Sequence, residues 1–157
     1  MRRRIRALFV LALTLGLLVA AAPALAAPTG VTLVVDEVLD GSLQGTIVSS
    51  SLPGCSNGTV ETTSSSSQSS GPEGMRFRGT KVVHCESDNT LTFRYAATYR
   101  SCDSPVDWGR WRITGGTGIF DGARGRGFLV GYYTGGNSTA CNSTGITDNW
   151  FGVIALS

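Results

Sequence analysis

From residue 27 onward, apolar and polar side chains alternate in short runs, and helical spacing is absent. Val31, Leu33 and Val35 alternate with Thr32, Val34 and Asp36. Met75, Phe77, Val83 and Cys85 share one parity, while Arg76, Arg78, Thr80 and His84 share the other. The cleanest period-2 run is Leu91, Phe93, Tyr95, Ala97 and Tyr99, interleaved with Thr92, Arg94, Ala96, Thr98 and Arg100. Trp111 and Ile113 are flanked by Arg110, Arg112 and Thr114, and 146–156 is a last β-type stretch. Such runs are strands with one buried face. They predict strands near 31–39, 42–50, 58–64, 75–85, 90–100, 109–115, 125–134 and 146–156. Short connections make sequence neighbours antiparallel partners. An all-β closed barrel or sandwich follows, and closure has the advantage of removing exposed edges.

The alternation is interrupted in three places. Arg2, Arg3, Arg4 and Arg6 precede an apolar run from Ala7 to Ala22, and Pro23-Ala24-Leu25-Ala26 then offers a cleavage site. That order is a secretory signal peptide, too short for a membrane anchor. It divides the chain into 1–26, a signal cleaved near Ala26, and 27–157, a single exported domain with no membrane span. The serine-rich segment 62–74 is too polar to bury and reads as a flexible connection. Residues 135–145 read as a loop around Cys141.

The signal changes the electrostatics. It holds four of the thirteen basic residues, leaving nine against eleven acidic ones, a formal charge of −2. Net charge therefore gives no support to nucleic-acid binding. Arg76, Arg78, Lys81, Arg110, Arg112, Arg124 and Arg126 suggest a local patch, with the wet face of strands as the simpler account. An even set of cysteines in an exported chain predicts two disulfides among Cys55, Cys85, Cys102 and Cys141. Long spacings and a single histidine, His84, argue against a metal site, and no cofactor is expected. Three pairings are open. Cys55–Cys85 with Cys102–Cys141 is favoured, because each pair would tie a loop or strand edge to a neighbour in a meandering sheet.

The most distinctive segment runs from Trp111 to Phe128. Its glycines do not make a nucleotide loop: Asp121 stands where a dinucleotide fingerprint needs its third glycine, and no Gly-Lys-Ser/Thr follows. A sharp corner after Thr114 is the better reading, with Ile119 and Phe120 turned inward as a plug. Gly116, Thr117, Gly118, Phe120, Gly122, Ala123 and Gly125 spell G-T-G-x-F-x-G-A-x-G. That motif resembles the signature of the allene oxide cyclase-like barrels, which include the dirigent proteins. It is also similar to small exported bacterial proteins, chiefly actinobacterial, that share a late D-x-[WY]-x-G element, present here as Asp148-Asn149-Trp150-Phe151-Gly152. The resemblance covers roughly Phe77 to the end. It implies a small eight-stranded antiparallel β-barrel of calycin-like form, matching the strand count reached from periodicity. It also implies that an apolar substrate sits inside the barrel. Dirigent proteins direct coupling of phenolic radicals, and allene oxide cyclases cyclise a fatty-acid epoxide. Since the matched motif is a structural corner, it transfers no catalytic residue. Barrels of this kind often associate through their faces, which leaves a homo-oligomer open.

Catalytic constellations are scarce. His84 falls on the outward parity, and no nucleophile elbow accompanies it. Glu37 and Asp148 fall on the parity of apolar strand residues, which is costly for an acid unless it is partnered by Lys81 or a tyrosine. Tyr95, Tyr99, Trp111 and Trp150 are the expected lining of any cavity, with Asp148 and Glu37 beside them. The expected function is non-catalytic enclosure of a small apolar or aromatic ligand, with 62–74 and 135–145 at the openings. Two alternatives are an isomerase or cyclase steering ring closure, and an envelope protein with a packed interior.

Overall fold

The structure, a computed structural model, describes residues 27–71 and 73–157; the segment read as a signal lies outside the described residues. Eight strands follow one another: β1 (Thr29–Val38), β2 (Gln44–Ser50), β3 (Thr59–Ser69), β4 (Met75–His84), β5 (Thr90–Tyr99), β6 (Val106–Thr117), β7 (Arg124–Thr134) and β8 (Gly145–Ala155). They pair antiparallel in sequence order, and β8 returns to β1 to close the barrel. Alternation decides which side chains go in. Val31, Leu33 and Val35 of β1 and Leu91, Phe93 and Ala97 of β5 are buried, while their neighbours in sequence face outward.

The two ends of the barrel differ. At one end the β2–β3, β4–β5 and β6–β7 connections meet, and the interior is solid. Phe93, Trp111 and Trp150 pack with ring centroids 5.3 to 6.2 Å apart, and about 10 Å³ of free space remains among them. The Trp111 indole N–H donates to the Phe128 carbonyl at 2.9 Å. The glycine-rich corner caps this end. Phe120 is fully buried, whereas Ile119 is 48 % exposed and forms no part of the plug. Gly118 has φ +62, and a Cβ there would meet the Asn89 Oδ1 at 1.9 Å. That buried oxygen accepts the Ile119 N–H at 3.0 Å, so Asn89 pins the corner to the β4–β5 turn. This turn is centred on Glu86–Asp88, and Asn89, the residue that follows it, is buried.

Two disulfides brace the barrel, one at each end. Cys55–Cys85 ties the β2–β3 loop to the end of β4, and Cys102–Cys141 ties the β5–β6 loop to the β7–β8 loop. The serine-rich run is not a loop throughout, because β3 extends to Ser69. Only Gln44–Glu61, Gly45–Val60 and Thr46–Thr59 join β2 to β3; beyond them β3 pairs with β4 alone. Backbone hydrogen bonds to β4 hold this half, and its serines are exposed on both faces. A strand that buries neither face needs no apolar alternation, which is why the pattern hid it.

Candidate functional site

The opposite end stays open. Here the β1–β2, β3–β4, β5–β6 and β7–β8 connections surround a cavity of about 400 Å³. Leu39, Phe77, Leu129 and Ile146 give it apolar walls, and Ser65–Ser67 with Ala140 stand at its rim. Its floor is polar. Glu37 from β1, Lys81 from β4, Asp107 from β6 and Asp148 from β8 are all buried there, each at an inward strand position.

Lys81 organises the floor. Its ammonium bonds the Glu37 carboxylate, lies 3.8 Å from the Asp148 Oδ2, and sits 5.2 Å from the centre of the Tyr95 ring. On the other side, the Asp107 carboxylate accepts the Gly131 N–H at 3.2 Å and the Tyr133 hydroxyl at 3.3 Å. Gly131 makes room for both aspartates: a Cβ at this position would stand 2.6 Å from the Oδ1 of Asp107 and of Asp148.

Two carboxylates thus share one ammonium in a half-dry site, and a third, Asp107, stands beside them without it. Burial works against the Lys81 charge, but Glu37 and Asp148 outweigh it and hold its pKa above the ordinary value. Burial pushes Glu37 up to about 7; Lys81 pulls it down and Asp148 adds to the rise. Within this pair the lysine direction decides the charge, because two carboxylates face one ammonium and removing its proton would leave them uncompensated. A proton taken up near neutrality therefore goes to a carboxylate. Asp107 has no ammonium in contact. Burial, reinforced by Asp148, raises it to about 7 against the Gly131 and Tyr133 hydrogen bonds. Burial and the adjacent Asp107 raise Tyr133, so its phenol stays protonated and donates. Among the described residues, no group of three or more His, Cys, Asp or Glu is arranged to hold a metal.

The residues singled out from sequence separate into two sets. Glu37, Asp148 and Tyr95 meet at the cavity. Tyr99 packs behind its wall, against Phe77 at 5.6 Å and Tyr133 at 6.3 Å. Trp111 and Trp150 belong to the solid half rather than the cavity wall, because the barrel is filled to their level from the capped end. Lys81, grouped by sequence with the surface arginines, is inside: its odd number puts it in phase with Val83 and Phe77. Asp107 and Tyr133 escaped notice. The predicted sixth strand began two residues too late to include Asp107, although that residue shares the parity of Trp111. Tyr133 shares the parity of Leu129 and was legible.

No protein-family model and no curated protein matches the chain. A solved structure, that of a pterocarpan synthase dirigent protein, is similar: it shares 15% sequence identity at a TM-score of 0.50, over 83% of this chain and 92% of that one. Likeness at that identity concerns architecture only. The chain folds as a dirigent-like, eight-stranded antiparallel barrel.

Proposed function

We propose that the chain is a small-ligand-binding barrel, which takes a mostly apolar, aromatic-sized molecule into its open end and anchors one polar group of it at the floor. The observation that carries this reading is the contrast between the halves: one is packed solid, the other keeps about 400 Å³ above a buried ion cluster. Cavities of roughly 300–1,000 Å³ with apolar walls and a few placed polar groups are the usual form of small-molecule sites. Retaining four ionisable groups around such a space costs stability, a cost that serves recognition better than packing. A packed-interior envelope protein has no use for the space. Export through the N-terminal signal belongs to the same reading, and the two disulfides are compatible with it. Kinship with the small exported bacterial proteins that carry the same glycine motif is part of it too.

Native mass spectrometry of the protein purified from its own source tests the reading. A co-purified molecule of a few hundred daltons, released on unfolding, is the expected result. Apo protein alone, together with no binding across a panel of phenolic and lipid-like compounds, would overturn it.

A second reading has its own support. Asp107, raised to about 7 and held by Tyr133, has the form of a group able to give and take a proton near neutrality. The similar solved barrel is named a synthase. In this reading the walls fold the substrate into a reactive conformation, and Asp107 transfers a proton as a ring closes. Asp107→Asn then retains ligand and loses turnover; equal turnover rejects the second reading and leaves the first standing.

A further inference from the structure

The outer wall carries a second feature that the cavity does not use. Strands β4 to β7 place Arg78, Arg94, Arg110, Arg112, Arg124 and Arg126 outward and exposed, with Arg76 beside them. Register gathers them. Arg94 lies opposite Arg112, and Arg112 opposite Arg126, so three cations form one row across three strands. One step along the strands, Ala96 lies between Arg78 on one side and Arg110 on the other. Strand spacings of about 4.8 Å across and about 6.8 Å per two residues along place the four arginines around Ala96 within a patch of roughly 10 by 7 Å.

Among the described residues, no Asp or Glu occupies an outward position on these four strands, and none of the arginines has an ion-pair partner. Like charges directly opposite on neighbouring strands are destabilising. This row therefore opposes folding, in a domain whose expected net charge is negative. A groove of about 540 Å³ runs over it, lined by Arg78, Arg94, Arg110 and Arg112 around the small Ala96, with the Arg110 guanidinium 5.5 Å from the centre of the Phe128 ring and with Ser64–Ser66 and Thr80 along one side.

We infer that this groove binds an acidic polysaccharide, whose carboxylate or sulfate groups are taken by the arginine forks and whose ring hydroxyls meet the serine and threonine side. Guanidinium is suited to planar, two-pronged bonds with such anions, and every exposed cation on these strands apart from His84 is arginine. The groove favours a saccharide over the other polyanions. Its floor is a methyl group, the Tyr95 and Trp111 of its lining sit at inward strand positions, and the exposed aromatics Trp108 and Phe128 lie on strands to one side, so it offers no exposed platform for stacked bases. A concave slot on a convex wall also suits a chain better than a flat lipid surface. The groove shares Ser65, Ser66 and Tyr95 with the cavity lining, but its arginines line the groove alone, so its failure leaves the cavity reading untouched.

The test is titration of the intact protein with polygalacturonate, with dextran sulfate, with neutral dextran, with a DNA duplex and with anionic phospholipid vesicles. Binding to either acidic polysaccharide, weakening as salt is raised, with no binding to neutral dextran, is the expected outcome. The double variant Arg94→Gln/Arg112→Gln is expected to lose at least tenfold in affinity while its thermal midpoint stays level or rises, since a repulsion has been relieved. Arg76→Gln/Arg124→Gln, outside the groove, is expected to lose less than threefold. Should the groove variant fail to fold, arginine modification by phenylglyoxal on the unaltered protein replaces it: polygalacturonate, and not dextran, must protect Arg94 and Arg112. Equal or tighter binding to DNA or vesicles, unchanged affinity in the groove variant, or absence of protection overturns the assignment.

Discussion

Asp107 is a carboxylic acid largely removed from water, and its chemistry sets a pH dependence. Its folded pKa of about 7 lies above the ordinary value of 3.8. Between the two, the folded chain binds more protons than the unfolded one, so stability falls as pH rises from about 4 to about 7 and levels off above. At about 1.4 kcal/mol per pH unit, with the slope halving at the folded pKa, Asp107 alone contributes a fall of roughly 2 kcal/mol between pH 5 and 7. Urea denaturation at pH 5 and pH 8 should show this fall in the native protein and a clearly smaller one in Asp107→Asn; equal falls would remove Asp107 as its source. Gly131 is the second residue with a specific consequence. Gly131→Ala drives a methyl group against both aspartates and the Ile146 side chain, and should cost about 1–3 kcal/mol by overpacking. Denaturation at pH 5 and pH 8 measures it, and a neutral outcome at both would mean that the carboxylates are free to move aside.

Among the elements, the strands divide the labour along their own length. The early parts of β5 and β7 and the late part of β6 meet at the capped end and pack, whereas their opposite ends hold the cavity open. The Cys102–Cys141 bridge spans the open end, joining two loops beside the cavity 39 residues apart in sequence. Cys102→Ser/Cys141→Ser should lower stability by about 2–4 kcal/mol. It should also raise hydrogen exchange in the loops at the open end while leaving the Trp111–Trp150 cluster protected. Uniform loss of protection would instead make the barrel a single cooperative unit without independent ends. Strand β3 shows how an element becomes invisible to pattern. Its apolar contribution ends near Val60, and its later residues are held by pairing with β4 rather than by any buried side chain. Asp107 was lost for a related reason, because strand boundaries blur where Gly109 leaves a gap in the alternation.

For the molecule as a whole, the consequence is a barrel with one packed end and one open end. Space, more than any single side chain, distinguishes a binder from a filled scaffold. Ala97→Leu projects added methyl groups from β5 into the cavity from a position that takes no part in the floor's ion pairs or hydrogen bonds. It should alter stability by no more than about 1 kcal/mol and abolish ligand-induced rises in thermal midpoint. A variant that still gains stability from a molecule that stabilises the unaltered protein would place that molecule's site elsewhere.

Periodicity in the chain was enough for eight strands, their antiparallel order, the all-β class and the inward phase of Glu37 and Asp148, because each strand's alternation reports directly which face is buried. The favoured cysteine pairing followed from that order, since adjacent connections in a meander come together. Which interior residues face empty space was beyond any local pattern. Trp111 and Trp150 have the same inward phase as Tyr95 and Asp107, and only the height at which each strand crosses its neighbours puts the first two in a solid plug and the others around a cavity. Likewise, the arginines became a row rather than scattered surface charge only through register, which depends on how strands separated in sequence slide past one another.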